Sequence, residues 1–124
     1  MKKEDKELLL KDLCARLPYK IKVRIYNDSW EGCKKGEFDN IMGFHHVEAF
    51  KCDRIEIEPY LRPMSSMTEE EKYEFDSYHN MFNNNPVELI DWLNSHYFDY
   101  RGLIEKDLAL EAPEGMYNLN NFDL

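Results

Sequence analysis

The chain is poor in the groups that most often announce a site. It has three cysteines, Cys14, Cys33 and Cys52, an odd number with no CxxC pair. Neither a disulfide framework nor a zinc knuckle is indicated, and reduced thiols are expected. Its five glycines are dispersed and form neither GxGxxG nor GxxxxGK(S/T), so the backbone cradle that holds a phosphate is missing and no nucleotide cofactor is implied. Ser65 and Ser66 sit outside any GxSxG elbow. No apolar run approaches the ~20 residues of a membrane span. The start, MKKEDKELLLKDL, places acids among its lysines where a signal peptide would hold an unbroken apolar stretch. A cytoplasmic protein without a membrane role is therefore expected.

What is present is enough to fold. At 124 residues, with 14% aromatic and 33% charged side chains, the chain has the size and composition of one globular domain rather than of a disordered segment. Its net charge of -9 is uneven. Residues 1–35 hold ten basic and six acidic side chains, and residues 36–124 hold six basic and nineteen acidic. An acidic body of this kind repels a phosphate backbone, so direct nucleic-acid binding is not expected. Lys20, Lys22 and Arg24, with Tyr19 and Tyr26 nearby, are too few to reverse that balance.

Periodicity outlines an α+β domain. KEDKELLLKDLCARL places Leu9, Leu10, Leu13 and Leu17 at helical spacing, and Pro18 closes the helix. KIKVRIY alternates as a half-buried strand, and EFDNIMGF supplies a second after a turn over 27–36. HHVEAFK fits a short strand or a single helical turn equally. From Arg54 the alternation returns with Ile55 and Ile57 inward and Glu56 and Glu58 outward, so Lys22 and Arg24 are expected to face those acids across neighbouring strands. A helix stripe of Phe75, Tyr78, His79 and Phe82 follows, then a helix opened by Asn85, Pro86 and Glu88, and a short third helix capped by Asp99. The expected architecture is an amphipathic N-terminal helix, a small antiparallel sheet of three or four strands, and two or three C-terminal helices on one face.

The stretch IEIEPYLRPMSSMTEEEKYEF changes from strand to proline-bracketed turn to acidic helix within about twenty residues. Pro59 and Pro63 restrict the strand to an edge, and Thr68 with Glu71 forms a capping box. A structural joint is the favoured reading. As a binding surface, the same stretch offers Tyr60, Leu61, Arg62, Met64 and Met67, among which Tyr, Arg and Met are types enriched at interfaces. A second candidate is the acidic face of Glu69, Glu70, Glu71, Glu74 and Asp76, read first as a solvated helix face and otherwise as a phosphate mimic. His45 and His46, if adjacent in a strand, point to opposite faces and cannot share one metal; a metal site would need Cys33 or Cys52 brought in by the tertiary fold.

The segments LLLKDLCARLPYKIKV, IEIEPYLRPMSSMTEEE and FDYRGLIEKDLALEAPEGMY together resemble a group of small proteins encoded by gut bacteria, their prophages and related mobile elements. They cover nearly half of the chain and include no catalytic motif. The resemblance implies a cytoplasmic accessory protein, phage-borne in the sense that prophages encode such proteins, and carries over no functional residue. A glycine commonly stands in that group where this chain has Lys20 and Asp107, so those two turns are expected to differ here. The functional expectation is a non-catalytic module that binds another protein. The alternatives are an acidic nucleic-acid-mimicking inhibitor and a small metal-dependent enzyme using His and Cys residues.

Overall fold

The computed structural model describes residues 1–27, 36–78 and 86–117. Helix α1 (Lys3–Arg16) turns Leu9, Asp12, Leu13 and Arg16 inward. These positions are spaced i, i+3, i+4 and i+7, so they form a single stripe in which two charges alternate with two leucines. Pro18 falls in the 3-10 turn Leu17–Tyr19 that ends the helix. The chain then enters β1 (Lys22–Asn27), which pairs antiparallel with β2 (Gly36–Ile41) on one side and β3 (Ile55–Leu61) on the other. Helix α2 (Phe44–Lys51) joins β2 to β3 and so carries the chain past β1. The HHVEAFK stretch is thus helical. Val47 and Phe50 of this helix are buried, as their spacing of three on one helical face requires.

Val23, Ile25, Ile57 and Leu61 point to one face of the sheet, where they join Leu9, Leu13, Val47, Phe50 and Leu103 in the main core. On the opposite face Arg24 stands across from Glu58 and Tyr26 across from Glu56. Arg24 also donates from Nε to Asp39 of β2 at 3.0 Å, and the Tyr60 hydroxyl reaches the same carboxylate at 2.9 Å. These two donors hold the Asp39 carboxyl below its ordinary range. Arg24 is thus paired on β2, whereas Lys22, also expected to face an acid of β3, stands opposite Ile41 of β2 and directs its Nζ to Met116 O at 3.3 Å.

The C-terminal half adds α3 (Glu69–Tyr78), α4 (Pro86–Ser95) and β4 (Leu110–Glu111). A second apolar cluster forms where these helices meet, built on Trp92, Leu93 and Phe98 with half-buried Met64, Met67, Phe75, Tyr78 and Leu89. Of the expected aromatic stripe, His79 and Phe82 lie outside the described residues, as does Asn85 before α4. Three expectations need correction. β3, expected to be restricted to an edge by Pro59 and Pro63, has a neighbour on each side, β1 as far as Pro59 and β4 at Tyr60 and Leu61. The sheet has four strands in the order β2-β1-β3-β4, but it is mixed, because β4 runs parallel to β3. Two helices intervene between β3 and β4 and return the chain to the end from which β3 began, which makes the pairing parallel. Residues 100–107 form turns and no third helix. The Asp99 carboxylate accepts from the Leu103 and Ile104 amides at 2.8 and 2.9 Å, so it does cap, but left-handed Gly102 and Asp107 stop the turn from propagating.

Three turns close in the same way. Arg54 N–H returns to Ala49 O, Phe98 N–H to Leu93 O and Leu108 N–H to Leu103 O, each beside a shorter loop-closing bond. The residues at the left-handed position are Asp53, Tyr97 and Asp107, with φ of 61°, 65° and 59°. This closure usually takes glycine. Tyr97 is held there by its ring, stacked on Tyr117 at 3.8 Å, and by its hydroxyl, which donates to Tyr19 O at 2.6 Å. Lys20 (φ 56°) and Asp107 have exposed side chains. Both turns keep the backbone that glycine favours even though neither residue is glycine. Lys20→Gly and Asp107→Gly are each expected to stabilise the fold by roughly 0.5–1 kcal/mol, since relief of the left-handed penalty exceeds the entropy glycine adds to the unfolded chain. Thermal melts of the single variants check this.

Candidate functional site

Three segments, residues 8–23, 55–71 and 98–117, meet inside the molecule. From the first, Asp12 and Arg16 of α1 are fully buried. Arg16 Nε donates to Asp12 at 2.8 Å and Nη2 to the Phe98 carbonyl at 2.7 Å, while Arg101 Nε reaches the other Asp12 oxygen at 3.1 Å. Both guanidinium groups lie over the Tyr100 ring, at 5.2 and 5.0 Å from its centroid. Arg16 Nη1 is buried with no hydrogen-bond partner among the described residues. The sequence signal for this cluster existed, since Asp12 and Arg16 share the leucine stripe, but charges within a leucine stripe are ordinarily read as its solvated flank.

The second and third segments meet at the end of β3. Val23 and Pro59 are directly opposed, and because proline has no amide this pair is not hydrogen-bonded. By alternation Lys22 and Tyr60 would bond next. The Tyr117 hydroxyl stands between them instead, accepting from Lys22 N–H at 2.9 Å and donating to Tyr60 O at 2.7 Å. Burial pushes the Tyr117 phenol well above its ordinary pKa, which keeps this donor protonated. Two residues beyond Tyr60, Arg62 N–H donates to Tyr97 O, and Asp99 N–H donates to Arg62 O.

The Arg62 side chain closes the joint between strand and helix. It makes a two-pronged pair with Glu71, Nη1 to Oε2 at 2.8 Å and Nη2 to Oε1 at 2.7 Å, and it donates from Nη1 to His96 O at 3.1 Å while lying over the Phe98 ring at 4.2 Å. The capping box is formed: Glu71 N–H reaches the Thr68 hydroxyl at 3.1 Å and the Glu71 carboxylate accepts from Thr68 N–H at 2.9 Å. Burial alone would raise the Glu71 carboxyl, but the Arg62 guanidinium, the Thr68 amide and nearby His96 outweigh it and hold the group below its ordinary value.

The candidate residues are therefore divided between interior and surface. Tyr60 is buried and Leu61 lies fully in the core. Arg62 is engaged with Glu71, and Met64 and Met67 pack half-buried against the Trp92 cluster. In the acidic helix Glu71 turns inward, and Glu74 accepts from Trp92 Nε1 at 2.7 Å, which leaves Glu69, Glu70 and Asp76 to solvent. Cys33 lies outside the described residues, and Cys14 and Cys52 are free and exposed. Among the described residues no three His, Cys, Asp or Glu side chains converge as a metal site.

His46 has a structural task instead. Its Nδ1 accepts from the Gly43 amide at 2.9 Å at the start of α2. Burial, and secondarily His45, holds its pKa below the ordinary 6.5. The unfolded chain therefore takes up the proton first. His46's contribution to stability is full above about pH 6.5 and declines as pH falls below it. Urea unfolding at neutral and mildly acidic pH is expected to show a smaller acid-side loss in His46→Asn, which keeps an acceptor without titrating.

What the joint leaves open is a cleft of about 620 Å³ between the Pro63–Thr68 turn and the segment from Glu111 to Tyr117. Arg62, Ser66 and Thr68 line one wall, and Glu111, Pro113 and Glu114 line the other. Ser66 Oγ donates to Pro63 O at 2.7 Å. The second wall is the end of the sheet: Leu61 stands opposite Glu111 and accepts from Ala112 N–H at 2.7 Å. Sequence reasoning missed Glu111 and Glu114, because β4 is only two residues long and has no periodicity to detect.

No family model matches the chain, and neither a curated protein nor a solved structure matches it. Among the described residues no helix is long and apolar enough to cross a membrane.

Proposed function

We propose that this chain is a non-catalytic protein-binding module, acting in the cytoplasm as an accessory protein of a phage or mobile element, and that its contact site is the cleft beside β4. The observation that supports this reading is the cleft itself, one wall of which is the last strand of the sheet. The side chains first considered for contact, Tyr60, Leu61 and Arg62, are committed to the interior behind it. Of the three, Arg62 lines the cleft, and the exposed residues around it meet the partner.

The alternative of a nucleic-acid mimic calls for carboxylates in one extended row. It draws less support, because α3 directs Glu71 to Arg62 and Glu74 to Trp92.

The test is an affinity capture from bacterial lysate at low and high salt, comparing the native chain with Ser66→Trp, a substitution at an exposed position that fills the cleft. A partner held by the native chain and lost by a variant with unchanged melting temperature supports the reading. Identical captures by the two overturn it.

A further inference from the structure

Tyr117 ends a strap that leaves β4 at Glu111. Ala112 N–H keeps one bond to Leu61 O, and the strap then turns, with Met116 N–H returning to Pro113 O at 3.0 Å. Gly115 takes the left-handed third position of that turn, with φ of 84° and nothing within 4 Å of where a side chain would begin. The chain thus passes from the side of β3 that faces β4, where Leu61 O points, to the side that faces β1, where Tyr60 O points. There the Tyr117 hydroxyl takes the place of a ladder bond between Lys22 N–H and Tyr60 O, with Lys22 O also 3.3 Å from it. Those two backbone groups are each other's partners in the alternation of the ladder.

Withdrawing a side chain that satisfies buried backbone ordinarily leaves orphaned groups, and each costs free energy. Withdrawing Tyr117 does not, because Lys22 N–H and Tyr60 O are left aimed at one another and close the bond directly while the phenol turns to water. Ala112 N–H, by contrast, is itself the ladder donor to Leu61 O, so that end of the strap stays and movement is confined to the residues after it. Against release stand the Tyr97 ring, stacked on Tyr117 at 3.8 Å, and Lys22 Nζ, 3.3 Å from Met116 O. These contacts make the inserted position the ground state.

We infer that residues 113–117 are a latch with two positions: pinned, with the Tyr117 hydroxyl in the ladder, and released, with Lys22 and Tyr60 bonded to each other. Pro113, Glu114 and Gly115 line the cleft, so release moves that wall and changes the cleft's width. An occupant that fits one width better than the other shifts the latch by that difference in affinity. The latch belongs to the free chain and does not depend on the binding-module reading.

The experiment is amide hydrogen exchange of the full chain, followed residue by residue by NMR over a series of low urea concentrations. In the native chain Met116 N–H is expected to exchange through a local opening that urea does not affect, and Lys22 N–H only through global unfolding, because Lys22 is bonded in both positions. In Tyr117→Phe, Met116 should exchange about tenfold faster, the ratio expected for one net hydrogen bond. Lys22 should keep the protection shown by Arg24 further along the strand. Cleavage after Glu114 by a glutamate-specific protease should accelerate by a similar factor. Met116 and Lys22 exchanging together in the native chain would overturn the latch, since the strap would then open only with the sheet, and this comparison decides the matter even if Tyr117→Phe fails to fold. In a folded variant, an unchanged Met116 rate would show that the hydroxyl is not the pin. A Lys22 amide that falls to the Met116 level would show that no ladder bond replaces it, and either result sinks the two-position latch.

Discussion

Asp12→Ala is expected to cost about 3–5 kcal/mol, the usual penalty for removing one partner of a buried ion pair. Total stability of a domain this size is about 5–15 kcal/mol, so such a loss is a large share of it. The physical reason is that Asp12 is the carboxylate for two guanidinium groups, one of which, Arg16, is fully buried. Without Asp12, Arg16 keeps the Phe98 carbonyl and the face of Tyr100 but no negative charge. Its Nη1 is already without a partner among the described residues, so the group has little capacity to compensate. Removing both charges should behave differently: Asp12→Leu with Arg16→Met is expected to recover most of the loss, because apolar residues of similar volume avoid the desolvation cost. Arg101, partly exposed, can then turn to water. Urea denaturation of the single and double variants checks the sign. A double variant no more stable than Asp12→Ala would show that packing around the cluster, and not the unpaired charge, sets the cost.

Arg62→Ala should be nearly as damaging, at about 3–5 kcal/mol, since Glu71 is left buried without its cation. The same change removes the guanidinium from Phe98 and from His96 O, and so loosens the meeting of β3, α3 and the end of α4. Arg62→Lys is expected to restore only part of the loss, because an ammonium cannot make the two-pronged pair. A pH signature separates this from a packing defect. In the native chain the Glu71 carboxyl is held below its ordinary 4.5; its contribution is present above that value and lost as pH falls through the folded one. Arg62→Ala removes two of the influences that lower it and leaves burial, which raises it. The acid-side fall in stability should therefore flatten in the variant, read as a smaller difference in urea midpoint between neutral and about pH 4. A consequence for the contact site is that loss of binding in an Arg62 variant reports on the fold, so Ser66, Glu111 and Glu114 are the positions at which binding should be tested.

The candidate site was legible only in its joint. Thr68 and Glu71 stand three apart before a helix, a local arrangement that sequence spacing displays, and the box is formed. The same spacing cannot show that the Glu71 carboxylate has a second role, because Arg62 reaches it by folding back across a proline turn. Tyr60 and Leu61 belong to residue types found both in cores and at interfaces, and their sequence neighbours do not decide between the two. Glu111 and Glu114 look like ordinary surface acids in the sequence. They acquire meaning only when β4 is laid beside the end of β3.

By itself the sequence determined what depends on neighbours within one helical turn or one strand: α1 and its proline stop, the alternation of β1 and β3, the capping box before α3, and the opening of α4 at Pro86. These features follow from 3.6- and 2-residue periods and from caps, which act locally. Only the tertiary structure decided that Asp12 and Arg16 lie inside, that α2 is a helix, that β4 joins β3 in parallel, and that Tyr117 bridges the open end of the β1–β3 ladder. Each of these depends on a partner far along the chain, such as Arg101 for Asp12 or Tyr60 for Tyr117. Burial and pairing of that kind are set by which surfaces the folded chain brings together, and no local period records them.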